Sequence, residues 1–348
     1  PTFRPAARTA PERDGAAQGR TLAVVSRRHR AMQLGVEMAP DRWIQRMEEG
    51  YRHLEAGEWA SALAVGEQLR AQAFSGGYEL LARAHQALGD EDRALELLRE
   101  GLQRTPEVWV LWLLKGELHS ARGEVDDARS GFQRALACPQ VDVSAVHLAQ
   151  ALLLHNTGQY LEALALAEAI ETLPWRAQAW PLRIALLIAL QRYDHAIDLE
   201  EAAMTDLEAL DDPTPLAHLH AQIGQAWWQG HRDKARARLS ALASLQQNPY
   251  NEDALWLLRQ ARQERAKAAR RLKVVVTGRW PKKEGRPREG FFRIYQVVVD
   301  GPGEALRFIE ELEPPTLIGS LEVEGFERLA SPEEPLKGVE ARSEYLAR

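Results

Sequence analysis

Histidine and cysteine are the side chains most able to do chemistry in this chain. His85 and His119 stand thirty-four residues apart. Two imidazoles could share a proton or a metal ion, yet neither belongs to an HxxxH pattern that sets two ligands on one helix face. Cys138 is the only cysteine among 348 residues, which excludes an intrachain disulfide and a metal site built on cysteines. It reads as a small buried apolar residue in the last turn of a helix. GxSxG and Walker-type patterns are absent. DGPGEA, residues 300–305, reads as the close of a strand and the cap of a helix, a stronger reading than a phosphate loop. No catalytic residue, cofactor or metal is therefore expected, and the chain is not expected to be an enzyme.

Charge offers a second kind of chemistry. From Arg259 to Arg293 there are thirteen Lys or Arg against three Glu. The densest part, Arg279, Lys282, Lys283, Arg286 and Arg288, leads into Phe291, Phe292 and Tyr295. Basic loops beside strand aromatics can hold single-stranded nucleic acid. However, Arg293 occupies a place where an RNA-binding sheet calls for an aromatic, and a solvated cationic loop is the plainer reading. The net charge of −6 also argues against a molecule built mainly around phosphate contacts.

The elements that would position these residues recur with a period of thirty-four. Tyr78, Ala82, His85, Gly89, Ala94 and Leu98 are each matched thirty-four residues on by Trp112, Gly116, His119, Gly123, Ala128 and Phe132. Pro106 has a near counterpart in Pro139. A period of this length marks stacked supersecondary units in place of one globular core. The small residues let two antiparallel helices approach closely, and the Gly ends the first helix of each pair. Turn positions follow at 57, 89, 123, 158, 191 and 230. Gln191 replaces the turn Gly, and the last interval is lengthened by LEALDDPTP, residues 207–215. Six repeats are predicted.

The pattern resembles the tetratricopeptide repeat family. The strongest copy, YELLARAHQALGDEDRALELLREGLQRTP, carries the large residue, the two small residues, the turn Gly and the closing Pro of that family. The resemblance implies a mainly α fold, a right-handed solenoid of about six helical hairpins. It also implies that the first helix of each pair lines a groove for a protein or peptide partner. The corresponding positions are Met47, Tyr51, Glu79, Arg83, Leu113, Glu117, Leu148, Leu152, His155, His220 and Trp227. This set is apolar with sparse charge and suits an amphipathic helix or an extended peptide. Some family members grip a terminal carboxylate with Lys and Asn; Met47 and Tyr51 stand at those places here. The family position held by His85 and His119 usually carries an aromatic, so both histidines read as structural. Most of Trp109, Trp112, Trp180, Trp227, Trp228 and Trp256 read as core anchors.

Four segments follow. Residues 1–37, rich in Arg, Ala, Pro and Gly, are predicted to form a disordered tail. Residues 38–271 hold the repeats and a capping helix starting near Asn248, and are expected to fold alone. Residues 272–330 form a small α+β domain in the order strand, strand, helix, strand: LKVVV, FFRIYQVVV, GEALRFIEEL and the alternating LEVEGF. Residues 331–348 form a loosely ordered tail. No apolar run is long enough to span a membrane and no secretory signal is evident, so a cytoplasmic location is the default. The expected function is a protein-interaction adaptor or scaffold. The alternative is a nucleic-acid-associated regulator using the basic hairpin.

Overall fold

A computed structural model describes residues 41–208, 214–280, 290–332 and 335–347. The tail predicted before residue 38 lies outside these residues. The chain divides into two compact units, residues 1–179 and 180–348.

The first unit is a ladder of helical hairpins: α1 (Asp41–Glu55) with α2 (Trp59–Ala71), α3 (Ser75–Ala87) with α4 (Glu91–Arg104), α5 (Trp109–Ala121) with α6 (Val125–Leu136), and α7 (Val143–Asn156) with α8 (Tyr160–Glu168). Each hairpin turns on a glycine with positive φ: Gly57 at 73°, Gly89 at 79°, Gly123 at 74° and Gly158 at 79°. A side chain would be strained there. Asp90 and Asp142 cap α4 and α7 by accepting backbone N–H bonds, which satisfies donors that a helix start leaves open. The small residues of the period sit where helices touch. Ala94, Ala128 and Ala163 have no solvent exposure. A Cβ on Gly131 would lie 2.9 Å from the Gly116 Cα, and one on Gly116 would lie 2.6 Å from the Phe132 ring.

The second unit continues the pattern and then changes it. Helix α9 (Trp175–Ala189) runs through the unit boundary and pairs in sequence with the short α10 (Tyr193–Asp198). An additional helix, α11 (Glu200–Glu208), precedes α12 (Thr214–Ala226) and α13 (Lys234–Gln247). The turn at Gln191 keeps positive φ, 60°, without a glycine. At the last turn the expectation fails. Gly230 lies inside a π-helical turn, Trp227–His231, and the positive φ of 56° falls on Arg232. The π turn adds a residue to the helix end and displaces the reversal. Gly230 instead makes room for Tyr193, whose Cβ would lie 2.7 Å from an added methyl.

The predicted capping helix is α14 (Glu252–Arg262), N-capped by Asn251 and ended by Gln263 at φ 57°. It is followed by an antiparallel sheet of β1 (Arg270–Arg279), β2 (Gly290–Val299), β3 (Glu322–Arg328), β4 (Gly338–Arg342) and β5 (Leu346–Ala347), with α15 (Ala305–Glu310) between β2 and β3. The order is β3-β1-β2-β4, and β5 also pairs with β2. The predicted strand, strand, helix, strand order is present. Residues 338–347 are not a loose tail, because they supply β4 and β5.

The boundary expected at residue 271 does not separate two cores. A single apolar cluster joins Ala237 and Ala241 of α13, Leu255 and Leu258 of α14, Val274 and Val276 of β1, Phe291 and Val297 of β2, and Phe308 of α15. The reason is one of supply. A sheet buries one face against helices, and the six residues of α15 cannot cover it alone. Helix α14, left without a further repeat, covers the rest. In β3 the predicted alternation is broken by a bulge opposite Val275 and Val276. It sets Val323 opposite Val276 and Phe326 opposite Val274, yet Phe326 stays 57% exposed at the sheet edge. Among the described residues no helix is long and apolar enough to cross a membrane.

Candidate functional site

In the first unit the groove positions gather on the first helices of successive pairs. Tyr51 on α1 donates its hydroxyl hydrogen to Glu79 on α3. Arg83, one turn further along α3, donates from Nε to the same carboxylate at 3.2 Å, and Glu117 on α5 adds its field. Burial acts to lower the Arg83 pKa, but Tyr51, Glu79 and Glu117 together hold it above the ordinary range. Arg83 is thus a fixed cation pinned between acidic neighbours. Leu148, Leu152 and His155 follow on α7 at helical spacing; the His155 ring lies 5.8 Å from that of Tyr160.

Many of these residues are less open than a binding surface requires. Met47, Tyr51, Glu79, Leu113 and Leu148 are buried, whereas Glu117, Leu152 and His155 are half-buried. Met47 and Tyr51 belong to a small core with Val65, Leu69, Phe74 and Leu80. Position in the repeat indicates which side of a helix a residue takes. It does not indicate how far the neighbouring helix overlaps it.

Two further groove candidates lie in the second unit. His220 on α12 has its pKa pushed down by burial, with Glu208 acting in the opposite direction. Trp227 opens the π turn, with the Arg236 guanidinium 4.1 Å from its ring centroid and the His231 ring at 5.2 Å. Trp109, Trp180 and Trp228 are buried anchors, while Trp112, Trp227 and Trp256 are half-buried.

The basic hairpin is described only at its root. Arg279 is exposed at the end of β1; Lys282, Lys283, Arg286 and Arg288 lie outside the described residues. Phe291 and Tyr295 are both 1% exposed in the core, and only Phe292 takes the other face, half-buried. Arg293 is no surface cation. It is 2% exposed, donates from Nη1 to Glu313 at 2.8 Å and from Nε to the Ser343 carbonyl at 2.5 Å, and lies over the Tyr345 ring at 4.2 Å.

The histidines are structural in a way that repeats. His85 Nδ1 lies 3.5 Å from Asp90, and His119 Nδ1 contacts Glu124. His53, which sequence reading missed, makes the same contact with Glu58 at 2.6 Å. In each case the histidine near the end of the first helix faces the acidic residue five positions on, at the start of the second, but only His53 and His119 are hydrogen-bonded to it. A comparison of the spacing HxxxxE or HxxxxD across the turns would have found it. Cys138 is half-buried and sits just beyond α6, with Sγ 3.2 Å from the Arg134 carbonyl. Burial, with help from Glu107, pushes its thiol pKa up, which opposes reactivity.

Helical hairpins in series, each closed by a left-handed turn and packed through small residues, define a helical repeat protein. A family model, tetratricopeptide repeat, matches residues 85–153. That stretch carries tetratricopeptide repeats. No curated protein matches the chain. Among solved structures it resembles a chain of the APC/C hetero-tetramer Cut9–Hcn1, with 17% identity over 71% of this chain and 48% of that one, at a TM-score of 0.52. It thus spans about half the length of that protein. It also resembles PilW, a type IV pilus biogenesis factor, with 19% identity over 63% of this chain and 100% of that one, at a TM-score of 0.51. A third likeness is to the apo form of RapI, with 14% identity over 63% of this chain and 70% of that one, at 0.51. At these identities the resemblance is one of fold.

Proposed function

We propose that the chain is a non-catalytic protein-interaction scaffold whose first-helix face takes a peptide segment or helix from a partner. The observation that carries this reading is the ladder of first helices. On it Arg83 of α3 and Glu117 of α5 are half-buried and electrostatically coupled, with the buried Tyr51 and Glu79 holding Arg83 in place. Further along, Leu152 and His155 of α7 are half-buried. Function in helical repeat proteins usually sits on such extended faces. The structural neighbour Cut9–Hcn1 is itself a hetero-tetramer, which is in keeping with an assembly role.

Selection of random displayed peptides on the full-length chain tests the reading. Peptides should be enriched, and Leu152→Glu with His155→Ala should abolish their binding while the helical circular dichroism is unchanged. Enrichment that survives both substitutions would move the binding surface elsewhere. The nucleic-acid alternative is weakened at the root of the basic hairpin, where two of the three neighbouring aromatics, Phe291 and Tyr295, are spent in the core.

A further inference from the structure

A histidine faces the acidic residue five positions on in three hairpins, but the surroundings differ in the third. Counting from each histidine, the residue eight positions on is Ser61 in the first hairpin, Arg93 in the second and Asp127 in the third. Asp127 stands three residues after Glu124, one turn along α6, so the two carboxylates share a face. The result is a set of three donors in one hairpin. A nitrogen of His119, an oxygen of Glu124 and an oxygen of Asp127 all lie within 4.8 Å of one another. His119 is 7% exposed and oriented by its contact with Glu124. Asp127 faces solvent and leaves an approach open.

We infer that His119, Glu124 and Asp127 form a binding site for a divalent first-row transition ion, with Zn²⁺ the foremost candidate. One imidazole with two carboxylates is a borderline donor set that favours zinc, cobalt or nickel over calcium and magnesium, which take oxygen alone. Three protein ligands with solvent in the fourth position are a common zinc arrangement. Two cations stand nearby and would compete with an ion: Arg122 is bound to Glu91 and Asp92 of the preceding hairpin and also feels Glu124, and Lys115 lies over the Trp112 ring at 5.3 Å and also feels Asp127. The positive end of α6 opposes a cation, but Glu124 at the N-cap and Asp126 and Asp127 in the first turn offset that field. A bound ion would join the end of α5 to the start of α6. The third hairpin would thereby be stiffened, and the first two, with Ser61 and Arg93 in the third place, would not.

The test is calorimetric titration of the metal-stripped full-length chain with ZnCl₂, beside Asp127→Asn and His119→Gln. The wild type should take up one equivalent with a micromolar dissociation constant and gain thermal midpoint as zinc is added, because an ion that binds only the folded state stabilises it. Asp127 is exposed, so Asp127→Asn should keep the wild-type circular dichroism while weakening zinc about tenfold or more, and should lose the zinc-dependent rise in midpoint. Asp127→Arg, which copies Arg93, should abolish binding. The inference is overturned if the wild type binds neither Zn²⁺ nor Ni²⁺ at millimolar concentration. It is equally overturned if Asp127→Asn binds zinc as tightly as the wild type, since the ion would then be held by other groups.

Discussion

Glu313 is a buried carboxylate with four side-chain partners. Its side chain has no solvent exposure, and it accepts from Arg293 at 2.8 Å, Tyr295 at 2.7 Å, Arg342 at 3.4 Å and Tyr345. Arg342 adds bonds to the Pro249 and Leu312 carbonyls, so the network ties β2, β4 and the segment before α14 together. Burial, followed by the hydrogen bond to Glu313, pushes the Tyr345 hydroxyl pKa up to about 12, which keeps it a donor at any physiological pH. Removal of one partner from a buried ion pair costs about 3–5 kcal/mol. Glu313→Ala should therefore lower the stability of the second unit by that order in urea denaturation. A loss below roughly 1 kcal/mol would mean that the two arginines find solvent or other acceptors.

His147 and His220 bring a pH dependence at the same scale. Burial depresses both pKa values below the ordinary 6.5. The unfolded chain then binds protons more readily than the folded one as pH falls. The stability these residues contribute is fully present above about pH 6.5 and declines as pH falls through the depressed folded values. A His147→Gln, His220→Gln chain should show a flatter melting temperature between pH 7 and pH 5. An unchanged slope would assign the acid sensitivity to carboxylates.

At the scale of elements, contact between helices is set by residues that lack side chains. A methyl at Gly131 would meet the backbone of α5, which cannot yield without parting the hairpin. Gly131→Ala should cost about 1–3 kcal/mol by overpacking, measured by chemical denaturation; a neutral result would show that α5 and α6 can separate at little cost. Strand β4 is held to α14 by charge. Glu340 binds Arg259 of α14 at 3.0 Å and Arg271 of β1 at 2.6 Å. Glu340→Gln should therefore speed hydrogen exchange in β4 before it affects β1 and β2. Leu148 is 4% exposed, so Leu148→Glu would unfold α7 as readily as block a partner, and Leu152 is the sounder probe.

At the scale of the molecule, the shared core alters what can be cut. A chain ending at Arg271 would expose the apolar side of α14, where Leu255 is 1% and Leu258 7% exposed. At about 25 cal/mol per Å² the loss of such cover is large for a marginally stable fold. The truncated chain should melt at a lower temperature and self-associate on gel filtration. An unchanged melting temperature with monomeric elution would show that the repeats do not depend on the sheet.

What the sequence determined by itself is local and periodic. The thirty-four-residue step, the turns at Gly57, Gly89, Gly123 and Gly158, the close-packed Ala94 and Ala128, and the strand-rich stretches after Arg270 could all be read from residue types, because each depends on neighbours a few positions away. Even Gln191 was legible as a turn, since its place in the period outweighed its type. The tertiary structure decided what depends on distant residues. Gly230 lost its turn because the helix end winds into a π turn that moves the positive φ to Arg232. Arg293 became a core residue because Glu313, twenty positions on, neutralises it. The expected boundary at residue 271 dissolved because α14 and the sheet each had an uncovered apolar face. The histidine ties lay between these extremes: their spacing was present in the sequence, but only the folded hairpin brought each ring to its carboxylate.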